Sequence, residues 1–114
     1  VIPERALETD FAKLPQPEKE DTTTEFKVRY DDIDVNNHVN NAVYPLWASE
    51  SVDPAFRLEH VPQELEIVFK KEGHYGERVK IITEIQKNVS LHDITALSDG
   101  RELAKVRIKW QKRS

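Results

Sequence analysis

The chain of 114 residues has no cysteine, no methionine and only three glycines. Without cysteine there is no disulfide, no thiolate metal site and no thiol nucleophile, and the composition suits a reducing compartment. Gly73, Gly76 and Gly100 are dispersed, which excludes a glycine-rich phosphate loop. No serine sits in the glycine-flanked elbow that serine triads use. The apolar runs are only a few residues long, so no segment reads as a membrane-spanning helix. Positive charge is not in excess either: the net charge is −4 at pH 7 and the isoelectric point about 5.6. Nucleic-acid binding rests on clustered Lys and Arg, so neither nucleic acid nor membrane is an expected partner. The basic tail Lys105, Arg107, Lys109, Lys112 and Arg113 reads as the solvated face of a strand. His38, His60, His74 and His92 show no Hx3H or HExxH spacing, so no metal is expected. The first residues, VIPERALETDF, lack an initiator methionine and the charged-then-apolar pattern of a secretion signal. The chain is therefore expected to be part of a longer protein.

What is present suits one globular domain: 38% hydrophobic and 33% charged residues, in a length that allows a single core. Pro3 and the spacing of Ala6, Leu7, Phe11 and Leu14 predict a short helix. Pro15 and Pro17 end it, and residues 15–23 read as a linker. Phe26, Val28 and Tyr30 alternate with polar residues and predict a strand. Val43, Leu46 and Trp47 share helical spacing, with Asn40 or Asn41 able to cap the start and Pro45 confined to the first turn. After Pro54 the sequence reads as irregular. Alternation then predicts strands around Leu65–Phe69, Val79–Ile85, Val89–Leu97 and Ala104–Trp110, with Ser98-Asp99-Gly100 as a hairpin turn. The order predicts an α+β fold: an antiparallel sheet of about five strands with one main helix on one face.

The densest polar stretch is DDIDVNNHVNNAVY, residues 31–44. Asn and Asp gather in turns because they tolerate left-handed backbone and bond their own chain. A strand-to-helix turn explains some of these residues, but it needs neither all seven Asp and Asn nor a histidine. The other reading is a site. In an extended segment Asp34, Asn36 and His38 point to the same side, beside a helix N-terminus whose free N–H groups suit an oxyanion. Histidine exchanges protons near neutral pH.

The string Arg29-Tyr30-x-Asp32-x-Asp34-x-Asn36-x-His38-Val39-Asn40-Asn41-x-x-Tyr44-x-x-Trp47 resembles the signature of the acyl-acyl-carrier-protein thioesterases. The resemblance runs over about residues 24–112. It implies a hotdog fold, in which a curved antiparallel sheet wraps a central helix. It also implies a second, catalytic domain of a tandem pair, with residues 1–23 as inter-domain helix and linker and 24–114 as the domain. By the same resemblance Asp34, Asn36 and His38 match the family's Asp-x-Asn-x-His, and Glu72 in Phe69-Lys70-Lys71-Glu72 matches its catalytic glutamate. Many plant members have a cysteine after that glutamate; here Gly73 stands there. Strand alternation puts Glu72 opposite Leu65, Ile67 and Phe69, so a bulge is needed to bring it to a site on their side.

The implied activity is hydrolysis of fatty acyl thioesters of acyl carrier protein (ACP) without a cofactor. Glu72 acts as base or nucleophile, and Asn36 and His38 position the attacking group and bind the thioester oxygen. Asp34 orients the Asn/His pair or the loop. Backbone N–H groups at Asn40 and Asn41 complete an oxyanion site, and Tyr44 and Trp47 form core and substrate wall. Two alternatives stay open: an acyl-CoA thioesterase of the 4-hydroxybenzoyl-CoA type using Asp32, and a non-catalytic acyl-binding module. His60, His74 and His92 read as surface residues, and Glu50 and Ser51 as solvated or locally bonded. The expected partners are acyl-ACP and either an upstream hotdog domain or a second copy of the chain. The expected compartment is the cytoplasm for a bacterial-type member and the plastid for a plant one.

Overall fold

The computed structural model describes residues 6–8, 14–15 and 17–113. Among the described residues six strands form one sheet: β1 (Ala6–Glu8), β2 (Thr22–Lys27), β3 (His60–Phe69), β4 (Arg78–Gln86), β5 (Val89–Ala96) and β6 (Glu102–Lys112). Their order is β1-β3-β6-β5-β4-β2, antiparallel throughout except for β1 beside β3. Helices α1 (Val43–Glu50) and α2 (Pro54–Glu59) connect β2 to β3. α1 lies against β6 and β4, so its apolar face closes the core on one side of the sheet. This is the hotdog arrangement.

Strand alternation places the core. Ala104, Val106, Ile108 and Trp110 on β6 are each at most 1% exposed, since alternate side chains point to one face. Val79 and Ile81 on β4 and Ile94 and Ala96 on β5 join them, as do Tyr44, Trp47 and Ala48 from α1. Pro45 stands in the first turn of α1, where its missing N–H breaks no helical bond.

Several expectations are revised. The predicted helix over the first residues falls mostly outside the described ones, but Ala6–Glu8 is strand, paired with Leu65, Glu66 and Ile67. The edge of β3 offers unpaired backbone groups that an extended segment satisfies. β2 begins at Thr22 and stops at Lys27, short of Tyr30; Tyr30–Asp32 is a 3-10 turn. The cause is Asp32, whose carboxylate accepts from the Arg29 backbone N–H at 2.8 Å and from its guanidinium at 3.1 and 3.3 Å. The segment after Asp53 is helical: Pro54 opens α2, and Asp53 Oδ1 accepts from the Ala55 N–H at 3.1 Å. On α1 the buried face is Tyr44, Pro45, Trp47 and Ala48, while Leu46 is exposed.

His92 is not a surface residue. It is fully buried between Thr83 Oγ1 and Ser90 Oγ, each 2.7 Å from a ring nitrogen, and Ser90 Oγ in turn accepts from Trp110 Nε1 at 2.8 Å. Polar partners on both nitrogens satisfy the neutral imidazole. His60 is half-buried and stacks on Phe56 with ring centroids 3.8 Å apart. In the basic tail Lys105 is buried and paired with Glu102, and Arg107 is ion-paired with Glu66. Lys109, Lys112 and Arg113 are exposed as expected. Ser51 is buried and donates to the Trp47 carbonyl, and Glu50 is paired with Arg57.

Candidate active site

The polar stretch folds as a tight turn rather than an extended segment. Asp34 Oδ1 accepts from the backbone N–H groups of Asn36 at 2.9 Å and His38 at 3.2 Å. The Asp34 N–H donates to the His38 carbonyl at 2.9 Å, and Asn37 takes a φ of 63°, which Asn tolerates better than most residues. Asp34, Asn36 and His38 still line one cleft, but the turn collects them, and Asp34 acts on the backbone rather than on the Asn or His side chains. Beyond the turn, the Val39 N–H donates to the Gly73 carbonyl at 2.9 Å, and His38 pairs antiparallel with His74.

Glu72 reaches this turn through the distortion that strand alternation required. The N–H groups of Lys70 and Lys71 both donate to the Leu103 carbonyl, at 2.9 and 3.3 Å. Two successive donors on one acceptor are the hydrogen-bond pattern of a bulge, which re-aims the side chains that follow. Glu72 Oε2 lies 3.2 Å from His38 Nε2. The pair faces a cleft of about 530 Å³, lined also by Asp34, Asn36, Asn41 and Lys71.

The approach to α1 lines the cleft through Asn40, Asn41 and Tyr44. Asn40 Oδ1 accepts from the Ala42 N–H at 3.0 Å, and the Val43 N–H donates to the Asn40 carbonyl at 2.9 Å. Asn40 thus makes the turn before the helix. Its own N–H is committed to the Asp32 carbonyl at 2.8 Å, so it is not an oxyanion donor. Asn41 lines the cleft. The hydroxyl of buried Tyr44 accepts from the Gly73 N–H at 3.2 Å. Burial pushes the Tyr44 hydroxyl pKa above its ordinary value, so it stays a neutral phenol.

Two candidates lie apart from this cleft. Trp47 stacks on Phe26, with centroids 5.9 Å apart, and lines a separate apolar groove with Leu46. Asp32 also borders that groove, and its carboxylate is bound to Arg29. His74 is the reverse case: read as a surface residue, it is exposed but stands beside the cleft, its ring centroid 5.3 Å from that of His38. Its Nδ1 lies 3.4 Å from Glu77 Oε1, and its backbone N–H donates to the same oxygen at 2.7 Å. Arg101 holds Glu77 through two contacts of 2.6 and 2.8 Å. Burial opposes ionisation of Glu77, but the Arg101 guanidinium and the His74 N–H outweigh it and keep the carboxyl pKa low. The i, i+2 spacing of Glu72 and His74 was the available sequence signal.

The chain matches the family model described as the acyl-ACP thioesterase C-terminal domain over residues 15–112. It belongs to that family. It is 27% identical over 113 residues to a chloroplastic acyl-[acyl-carrier-protein] hydrolase from Cuphea viscosissima, covering 92% of this chain and 27% of that protein. The 12:0-ACP thioesterase from Umbellularia californica shares the fold with a TM-score of 0.75 at 20% identity, over 92% of this chain and 42% of that one. A 1,4-dihydroxy-2-naphthoyl-CoA thioesterase from Synechocystis does so with a TM-score of 0.71 at 14% identity, over 82% of each chain. The chain therefore spans about a quarter of the length of the curated relative and under half of the solved plant enzyme. Among the described residues, no helix is long and apolar enough to cross a membrane.

Proposed function

We propose that this domain carries the hydrolytic centre for fatty acyl thioesters of ACP, releasing free fatty acid. The observation that supports it best is the His38 Nε2–Glu72 Oε2 contact of 3.2 Å facing the cleft. An imidazole and a carboxylate at that distance form an acid–base pair able to accept a proton from water and return it to a leaving thiolate. In the proposed reaction Glu72 takes a proton from a water whose oxygen attacks the thioester carbonyl carbon. The carbonyl electrons move to oxygen, to which the Asn36 amide and the Asn41 N–H would donate from the cleft wall. Collapse of that oxyanion breaks the C–S bond, and the thiolate leaves with a proton delivered through His38. Asp34 holds the turn that carries Asn36 and His38. Substrate and partner are inferred from the curated hydrolase of acyl-ACP and from family membership.

The Asp32 alternative loses support, because that carboxylate is buried on Arg29. Residues 1–23 are proposed as the connection from an upstream domain and 24–114 as the hotdog domain, with β2 starting two residues earlier. The lack of cysteine suits the cytoplasm of a bacterium or the stroma of a plastid.

The test is hydrolysis of acyl-ACP by the full-length protein. Glu72→Gln and His38→Ala should each lower kcat by about a hundredfold or more while leaving the fold intact. Near-normal turnover in both variants would overturn the assignment. Acyl-ligand binding without hydrolysis in the unaltered protein would identify a binding module instead.

A further inference from the structure

His38, Glu72 and His74 each place one ligand atom within 4.8 Å of those of the other two. The backbone fixes this grouping. His38 and His74 are paired antiparallel, and directly opposed residues project to the same face. Glu72, two positions before His74, reaches that face as well, as its contact with His38 shows. The three side chains are exposed or half-buried, so small rotations can close them on an ion.

The arrangement around His74 points the same way. Its Nδ1 faces the Glu77 carboxylate at 3.4 Å, and Arg101 clamps Glu77 from behind. A histidine whose one nitrogen faces a carboxylate presents the other, in a set orientation, as a ligand. His74 is thus oriented by a support that proton transfer between His38 and Glu72 does not require.

We propose that these three residues form a site for a divalent transition-metal ion, zinc above all, and that occupancy reversibly inhibits the domain. This rests on the acid–base roles proposed above. Two imidazoles and one carboxylate are a donor set that zinc accepts, with a fourth position open to the cleft. Hard cations such as magnesium and calcium prefer all-oxygen shells and are not expected. Inhibition follows from which atoms are consumed: the metal would take the His38 and Glu72 atoms that otherwise face each other. Local motif spacing reveals only ligands close along the chain, whereas here a cross-strand pair assembles them.

The test is zinc titration of the full-length protein, followed calorimetrically without substrate and, separately, by acyl-ACP hydrolysis. Zinc should bind with one-to-one stoichiometry and suppress hydrolysis, and EDTA should restore it, while magnesium does neither. His74→Ala should weaken zinc binding by about tenfold or more yet leave metal-free hydrolysis unchanged. Glu77→Gln should weaken zinc binding as a positioning change, again with metal-free hydrolysis retained. Failure of zinc to bind at millimolar concentration would overturn the site, as would wild-type affinity in His74→Ala. Stimulation by zinc would overturn the inhibitory role. The calorimetric arm does not depend on turnover, so loss of the metal site and loss of the hydrolytic assignment are separate outcomes.

Discussion

A Cβ added at Gly73 would stand 3.0 Å from Val39 Cγ2, 3.3 Å from Leu103 Cδ1 and 3.4 Å from the Tyr44 hydroxyl oxygen. The residue's backbone donates to Tyr44 and accepts from Val39, so it is held from two sides while the third is filled. It lies directly after Glu72, and Val39 directly follows His38. A side chain here presses on Val39, which must give by a few tenths of an ångström beside His38 of the proposed pair. Gly73→Ala is expected to cost about 1–3 kcal/mol of stability by overpacking. It should also lower kcat by about tenfold or more, since small misplacements of reacting groups are expensive. Gly73→Cys, the residue many plant members carry at this point, should do the same here and not restore turnover to Glu72→Gln. Urea unfolding and turnover of acyl-ACP check both effects, and wild-type values in Gly73→Ala would show that Val39 yields without disturbing His38.

On β5, neighbouring residues point to opposite faces, and two of them titrate in opposite directions. Burial lowers the pKa of His92 from 6.5 to about 3. Between those values the unfolded chain binds a proton that the folded chain does not, so this residue's share of stability is lost as pH falls. Asp93 behaves oppositely. Burial, then the hydrogen bond and charge of Glu102, raise it from 3.8 to about 7. Between those values the folded chain holds the extra proton, so its share grows as pH falls and is lost as pH rises through 7. The two oppose each other wherever the windows overlap. Asp93→Asn should remove the compensation, so its urea midpoint should fall more steeply on acidification from neutrality than that of the unaltered protein. His92→Gln should give a flatter curve or one that rises. Parallel midpoint curves for all three proteins would exclude both assignments.

The same strand shows what the sequence could and could not reveal. β4 to β6 are legible because one face is apolar and the other carries most of the polar residues, and Ser98-Asp99-Gly100 marks their last turn, where Gly100 takes a φ of 72°. A polar residue on a strand usually faces water, but His92 is buried among Thr83 and Trp110, which pairing brings from other strands, and Ser90 two positions before it. β1 was missed for a related reason, since three residues become strand only because β3 offers an edge. In the site, Asp34, Asn36 and His38 stood out by composition. Glu72 needed the family resemblance, and the bulge that aims it was deduced from alternation. Only its i, i+2 spacing from Glu72 marks His74, whose place beside His38 is made by a tertiary pairing.

At the scale of the whole molecule, two surfaces of the described residues stand open, the β3 edge and the α1 flank. β1 pairs with β3 only from Leu65 to Ile67. Among the described residues, His60–Glu64 has no strand on that side, and Pro62 there lacks an N–H. The flank of α1 exposes Leu46, 51% accessible, above an apolar groove that Phe26, Val43 and Trp47 line. The solved plant enzyme contains more chain outside the matched region than within it, enough for a second unit of this size. A chain comprising only these residues is therefore expected to associate with its own copy, hiding the α1 flank and the β3 edge. Light scattering at micromolar concentration should give twice the 13.3 kDa chain mass. Leu46→Glu should shift the equilibrium towards monomer, because a carboxylate in the contact would lose its water without gaining a partner. A monomer before any substitution would remove the idea of self-association. A dimer indifferent to Leu46→Glu would place the contact on the β3 edge alone, where Pro62 leaves the fewest donors to share.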